Sequence, residues 1–168
     1  MRSANDDRPE RIAPLVQRGV RVIAFDHPAH GQSRQLRASL IDLARATLSV
    51  ARAHGPFDAA LAHSIGCLAT LLAHAGGPPL AGHHRFGRLC FIAAPNAMSL
   101  VTDRFAHELK LSNEAQSAFE RHVSRVGHRP LTTFSAANLL AALPVPTRLI
   151  HAMNDDRIPF TESVAIAD

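Results

Sequence analysis

The sequence predicts an α/β fold built on a mainly parallel sheet flanked by helices, on three observations. Short apolar runs of strand length alternate with longer stretches of helical period. The runs are continuously apolar rather than alternating, as suits strands buried on both faces. Glycine and proline punctuate the joints between the two kinds of segment.

Residues 11–18 read as the tail of a helix, ended by Gly19, where a left-handed cap costs little without a Cβ. The run 20–25 (VRVIAF) reads as the first strand, and residues 26–31 as a turn on Pro28 and Gly31. Leu36, Leu40, Ala44, Leu48 and Ala51 then draw one apolar stripe on a helix, which Gly55 and Pro56 stop. A second strand, 57–62, runs directly into Ser64-Ile65-Gly66 and an apolar helix, 67–75, broken by Gly76, Gly77, Pro78 and Pro79. Residues 88–94 (RLCFIAA) form the third strand. Residues 99–143 change character to helical. Val101, Phe105 and Leu109 share one face and Ala115, Phe119 and Val123 another, with Ser112 as N-cap of the second helix. Residues 145–150 make the fourth strand, and a further helix begins at Phe160.

Composition excludes several classes. The 168 residues are 46% hydrophobic and 19% charged, a globular balance with enough apolar side chains for a core. No apolar run approaches the roughly 18 residues of a membrane span, and the opening MRSANDDRPERIAP holds no signal-peptide core. Two distant cysteines then read as reduced thiols in the cytoplasm. The net charge of +4 comes from scattered arginines, with one lysine, Lys110, and neither Trp nor Tyr for base stacking. A nucleic-acid partner is therefore not expected.

The sharpest local feature is Ala62-His63-Ser64-Ile65-Gly66 at a strand-to-helix junction. Small residues two before and two after a serine let the backbone turn sharply enough to hold the hydroxyl clear of the sheet. The helix that starts at once favours negative charge beside it, and the Ile65 N–H is positioned to donate to an oxyanion. The competing reading is an ordinary helix-capping serine. A second feature, His151-Ala-Met-Asn-Asp155-Asp156-Arg-Ile-Pro159, follows the fourth strand, on the sheet edge where open α/β sheets place their sites. A carboxylate there either orients a catalytic histidine or makes a turn capping the helix at Phe160.

Taken together, VRVIAFDHPAHGQS, AHSIG, IAAPNA and VPTRLIHAMNDDRIPF resemble, in order and spacing, the α/β-hydrolase superfamily, most closely its bacterial esterase/lipase-like members. The resemblance covers nearly the whole chain and implies a partial α/β-hydrolase fold as one domain, 1–168, with a helical cap insert at 99–143. It implies Ser64 as nucleophile, Ile65 as oxyanion donor and Asp155, rather than Asp156, as triad acid. The acid falls four residues after the histidine and four before the proline. The expected chemistry is hydrolysis of a small-molecule ester or other acyl compound through an acyl-enzyme. Cofactor, metal, nucleic acid and membrane are not expected.

The same resemblance implies truncation at both ends. The family's His-Gly loop with a second oxyanion donor would precede the helix ending near Arg18, and its triad histidine would follow the helix opening at Phe160. A strand between 20–25 and 57–62 would also be missing. The alternative is thus a non-catalytic remnant serving as a binding module. Of the local histidines, His27 and His30 lie on the correct sheet edge. His63 adjoins Ser64 but is expected to point elsewhere, His151 to pack within a strand, and His83-His84 to be a solvated pair. Cys67 and Cys90 read as small buried hydrophobes, and Asp26 as a shaper of its turn.

Overall fold

The computed structural model describes residues 8–168; the first half of the stretch read for a signal peptide lies outside them. The chain divides into two compact units, 1–38 and 39–168.

In the first unit, helix α1 (Arg8–Gln17) ends where Gly19 takes φ +77° and its amide donates to Val16 O at 2.9 Å. The strand expected at 20–25 does not form; these residues carry no regular structure and none of the three described strands pairs with them. An apolar β-branched run becomes a strand only when a neighbour takes up its amides and carbonyls. The turn that follows is built as expected. Asp26 Oδ2 accepts the Gln32 N–H at 3.0 Å and Asp26 O accepts the Ser33 hydroxyl at 3.3 Å. Gly31, at φ +52°, is pressed so close that a Cβ would lie 2.4 Å from the Asp26 carboxylate.

In the second unit, α2 (Leu40–His54) starts four residues later than the stripe suggested, leaving Leu36 95% exposed. Ser39 sets the start through a capping box: its Oγ accepts the Asp42 N–H at 3.2 Å while Asp42 Oδ2 accepts the Ser39 N–H at 3.0 Å. Gly55 ends the helix, and β1 (Ala59–His63) leads directly into α3 (Ile65–Ala75). Next come β2 (Arg88–Ile92), α4 (Met98–Glu108), α5 (Asn113–Gly127), a 3-10 turn (Leu131–Thr133), α6 (Ala136–Ala142), β3 (Thr147–Ile150) and α7 (Phe160–Ala167). β2 stops before Ala93, whose φ of +48° turns the chain out of the sheet.

The three strands are parallel in the order β1-β2-β3, with Leu61 beside Cys90 and Cys90 beside Arg148. One face carries Leu89 and Phe91 into a core shared with Leu40, Leu43, Leu68, Leu71 and Leu72. On the other, Leu61 and Ile150 are exposed, at 65% and 49%. Helix α3 is buried over nearly its whole length, which is why its sequence is apolar all round. Its buried histidine is hydrogen-bonded: His74 Nδ1 accepts the Phe86 N–H at 3.1 Å.

The helices expected between the third and fourth strands are present. Ser112 caps α5 through the Ala115 N–H, and the Phe105 and Phe119 rings meet at 4.9 Å between α4 and α5. Helix α6 packs against α3 and α7. The start of α4 is fixed from α7, because Glu162 Oε2 accepts the amides of Asn96 at 2.8 Å and Ala97 at 3.3 Å. Among the described residues no helix is long and apolar enough to cross a membrane.

Candidate active site

Ser64 sits at the tip of β1 with φ +54° and ψ −133°, outside the regions open to L-residues at low cost. The strain is held by β2 on one side and α3 on the other: the Ser64 N–H donates to Ile92 O and the Cys67 N–H to Ser64 O, each at 2.9 Å. The Ser64 side chain makes no capping hydrogen bond to α3. That removes the competing reading of an ordinary helix cap, in which the hydroxyl would accept from the first turn. Ile65 opens α3, so its N–H is one of the amides a helix start leaves without an intrahelical acceptor. Gly66 is buried directly behind the turn.

An open cleft of about 480 Å³ faces this serine. His63, Ser64 and Ile65 form one wall, Val101, Arg104 and Phe105 of α4 another, and the loop bearing Asp155 a third. The structure thus brings Ser64, Ile65 and Asp155 to one cavity. Asp156, the alternative acid, has an exposed side chain and does not line the cleft.

Asp155 Oδ1 accepts the Ile158 N–H at 2.9 Å and the Arg157 N–H at 2.8 Å. These bonds hold its carboxyl below the usual carboxylate value. His151 follows β3 rather than lying within it, and its side chain is buried. Its Nε2 donates to Ile158 O at 2.8 Å and its Nδ1 accepts the Ser163 hydroxyl at 2.6 Å, a tautomer assigned from these partners. Asp155 Oδ2 lies 3.6 Å from the same Nε2. His151 is therefore a strut between the acid loop and α7, with both ring nitrogens occupied.

His63, expected to point away, lies on the cleft wall with Ser64 and Asp155. His27 and His30 belong to the first unit; burial and the neighbouring His30 push the His27 ring down to about 4, and His30 Nδ1 donates to Pro28 O at 2.9 Å. Burial pushes the Cys67 thiol up to about 12, so it is no nucleophile at neutral pH. Three charged residues escaped the sequence reading: Arg104, Glu108 and Arg157 all line the cleft. Their one legible signal was the Arg104–Glu108 spacing of four on a helix, which the structure shows as a pair at 3.1 Å. Among the described residues no group of three His, Cys, Asp or Glu could hold a metal ion.

No family model matches the chain, and no curated protein does. Solved structures do. Mouse alpha/beta hydrolase domain-containing protein 10 aligns over 99% of this chain and 71% of its own, with a TM-score of 0.64 and 21% identity. An extracellular alpha/beta-hydrolase from a Paenibacillus species aligns over 95% of this chain and 80% of its own, with a TM-score of 0.59 and 15% identity. That protein is described as sharing structural and functional homology with Tobacco Salicylic Acid Binding Protein 2. Such identities speak to architecture, and with the parallel sheet, the strained serine turn and the helices between β2 and β3 they agree on one conclusion: the chain has a partial α/β-hydrolase fold.

Proposed function

We propose that this chain is a serine-dependent hydrolase of carboxylic esters or related acyl compounds. The observation that carries the reading is Ser64 itself, held at φ +54° on the wall of a cleft with its side chain excused from capping. Strain of this kind, about 1–3 kcal/mol, persists only where the surroundings enforce it, and it clusters at functional sites.

In this mechanism a base takes the Ser64 Oγ proton as Oγ bonds to the acyl carbon. The carbonyl electron pair moves to oxygen, and the Ile65 N–H stabilises that charge. Collapse expels the alcohol, which receives the proton, and water then releases the acyl group by the same route. Asp155 charge-stabilises the histidine that serves as base. His63 shares the cleft wall with both residues. The apolar wall of Val101 and Phe105 suits the acyl or alcohol portion of a small-molecule ester. The free thiols Cys67 and Cys90 suit a reducing compartment, which supports a cytoplasmic location.

The test is hydrolysis of short-chain aryl esters by the wild type, Ser64→Ala and His63→Gln, with fluorophosphonate labelling in parallel. The reading expects labelling at Ser64 and loss of nearly all turnover in Ser64→Ala. Loss of turnover in His63→Gln identifies His63 as the base. Equal turnover by the wild type and Ser64→Ala, without labelling, would refute the reading in favour of a non-catalytic binding module.

A further inference from the structure

Helix α4 gives the Ser64 cleft its apolar wall through Val101 and Phe105 and, one residue from Phe105, reaches the acid loop through Arg104. Arg104 Nη1 donates to Asp156 O at 3.0 Å and also to Arg157 O, while its Nε donates to Glu108 Oε1 at 3.1 Å. Glu108 Oε1 accepts in turn from Arg157 Nη1 at 3.0 Å. The Asp156–Arg157–Ile158 peptides are therefore gripped twice. A guanidinium on α4 takes two of their carbonyls, and the Asp155 carboxylate takes two of their amides.

We infer that Arg104 is a positioning residue, which couples the cleft wall on α4 to the placement of the Asp155 carboxylate; this rests on the serine-hydrolase reading above. The Arg157–Glu108 pair is exposed on both sides and contributes little. The carbonyl bonds are charge-assisted and both come from Nη1, while Nε of the same planar guanidinium holds Glu108, an arrangement of two fixed nitrogens that a lysine ammonium does not reproduce. A substrate pressing on Val101 and Phe105 thus bears on the helix that holds the acid loop. Acyl-chain binding and acid alignment become one event.

The experiment compares amide hydrogen exchange at Arg157 and Ile158 in the wild type, Arg104→Met and Arg157→Ala, with ester kinetics on the same proteins. Arg104→Met is expected to speed exchange at both amides roughly tenfold. Arg157→Ala keeps the peptide and removes only the exposed ion pair, so its exchange stays within about twofold. In kinetics, Arg104→Met lowers kcat roughly tenfold with little change in KM for the shortest esters, and Arg104→Lys restores only part of it. Unchanged exchange in Arg104→Met overturns the coupling outright. Faster exchange with unaltered kcat, where Ser64→Ala is inactive, overturns the positioning role. Equal turnover by Ser64→Ala and the wild type instead refutes the hydrolase reading, and exchange alone then decides whether the tie exists.

Discussion

Replacing Ser64 by glycine and by alanine separates a strained nucleophile turn from a helix cap without any substrate. The backbone at φ +54°, ψ −133° costs a side-chain-bearing residue about 1–3 kcal/mol. Glycine takes this conformation freely, though its more flexible unfolded chain returns about 0.4–1 kcal/mol of the gain. Ser64→Gly is therefore expected to stabilise the fold by roughly 0.5–2 kcal/mol, a rise of a few degrees in Tm for a chain of this length. Ser64→Ala keeps the strain and loses no capping bond, so its stability stays within about 0.5 kcal/mol of wild type. A capping serine would give the opposite pattern, a loss of about 0.5–2 kcal/mol for alanine and only a few tenths for glycine. Urea unfolding followed by far-ultraviolet circular dichroism, at unchanged m-value, reads both. Destabilisation of Ser64→Ala by 1 kcal/mol or more, with no gain in Ser64→Gly, would refute the strained-turn argument.

Two further outcomes follow from the carboxylates. Asp155→Asn retains an oxygen for the Arg157 and Ile158 amides but loses the charge, so turnover is expected to drop about 10³–10⁴-fold with the fold intact, whereas Asp156→Asn changes it less than about threefold; aryl-ester kinetics decide. Ser39→Ala removes the acceptor of the Asp42 amide and is expected to cost about 1 kcal/mol in urea unfolding. Because the Ser39 hydrogen bonds depress the folded pKa of Asp42, its contribution is present above the unfolded value near 3.9 and lost as pH falls through the lower folded one. The stability gap between the wild type and Ser39→Ala should therefore narrow, without closing, as Asp42 is protonated in acid, because only the Ser39 hydroxyl's bond to the Asp42 carboxylate depends on its charge; thermal melts across the acid range measure it.

The α/β class, the parallel sheet and the serine turn were legible because each is written locally. Continuous apolar runs at 57–62, 88–94 and 145–150 mark the three strands, though the burial on both faces expected of them does not hold, since Leu61 of β1 and Ile150 of β3 are exposed; Ala62, Ser64 and Gly66 fall at the spacing a tight turn needs. The run at 20–25 looked the same by itself, but a strand depends on a partner that its own residues do not encode. Leu36 was misplaced for a different reason: periodicity cannot tell the last apolar residue of a loop from the first of a helix. The cap, Ser39 with Asp42 three residues on, was the better signal. At the site, the turn alone singled out Ser64 and Ile65, and motif spacing singled out Asp155, the three residues that line one cleft in the structure. The places of Arg104 and His63 on that cleft were not legible, since they arise from α4 and the acid loop meeting near the end of β1, some 40 to 90 residues apart in sequence.

The unequal faces of the sheet give the two sulfur atoms different chemical fates. Cys67 is enclosed, its thiol pushed up to about 12 by burial, and it scarcely yields a thiolate at neutral pH. Cys90 is only partly covered and shares its face with Leu61 and Arg148. A maleimide therefore modifies the sheet from that side first, and anything that comes to cover the face slows the reaction. The native chain carries its own reporter of whether that surface is bare, and of the two thiols Cys90 is the one open to oxidation while the enclosed Cys67, one turn beyond Ser64, is shielded.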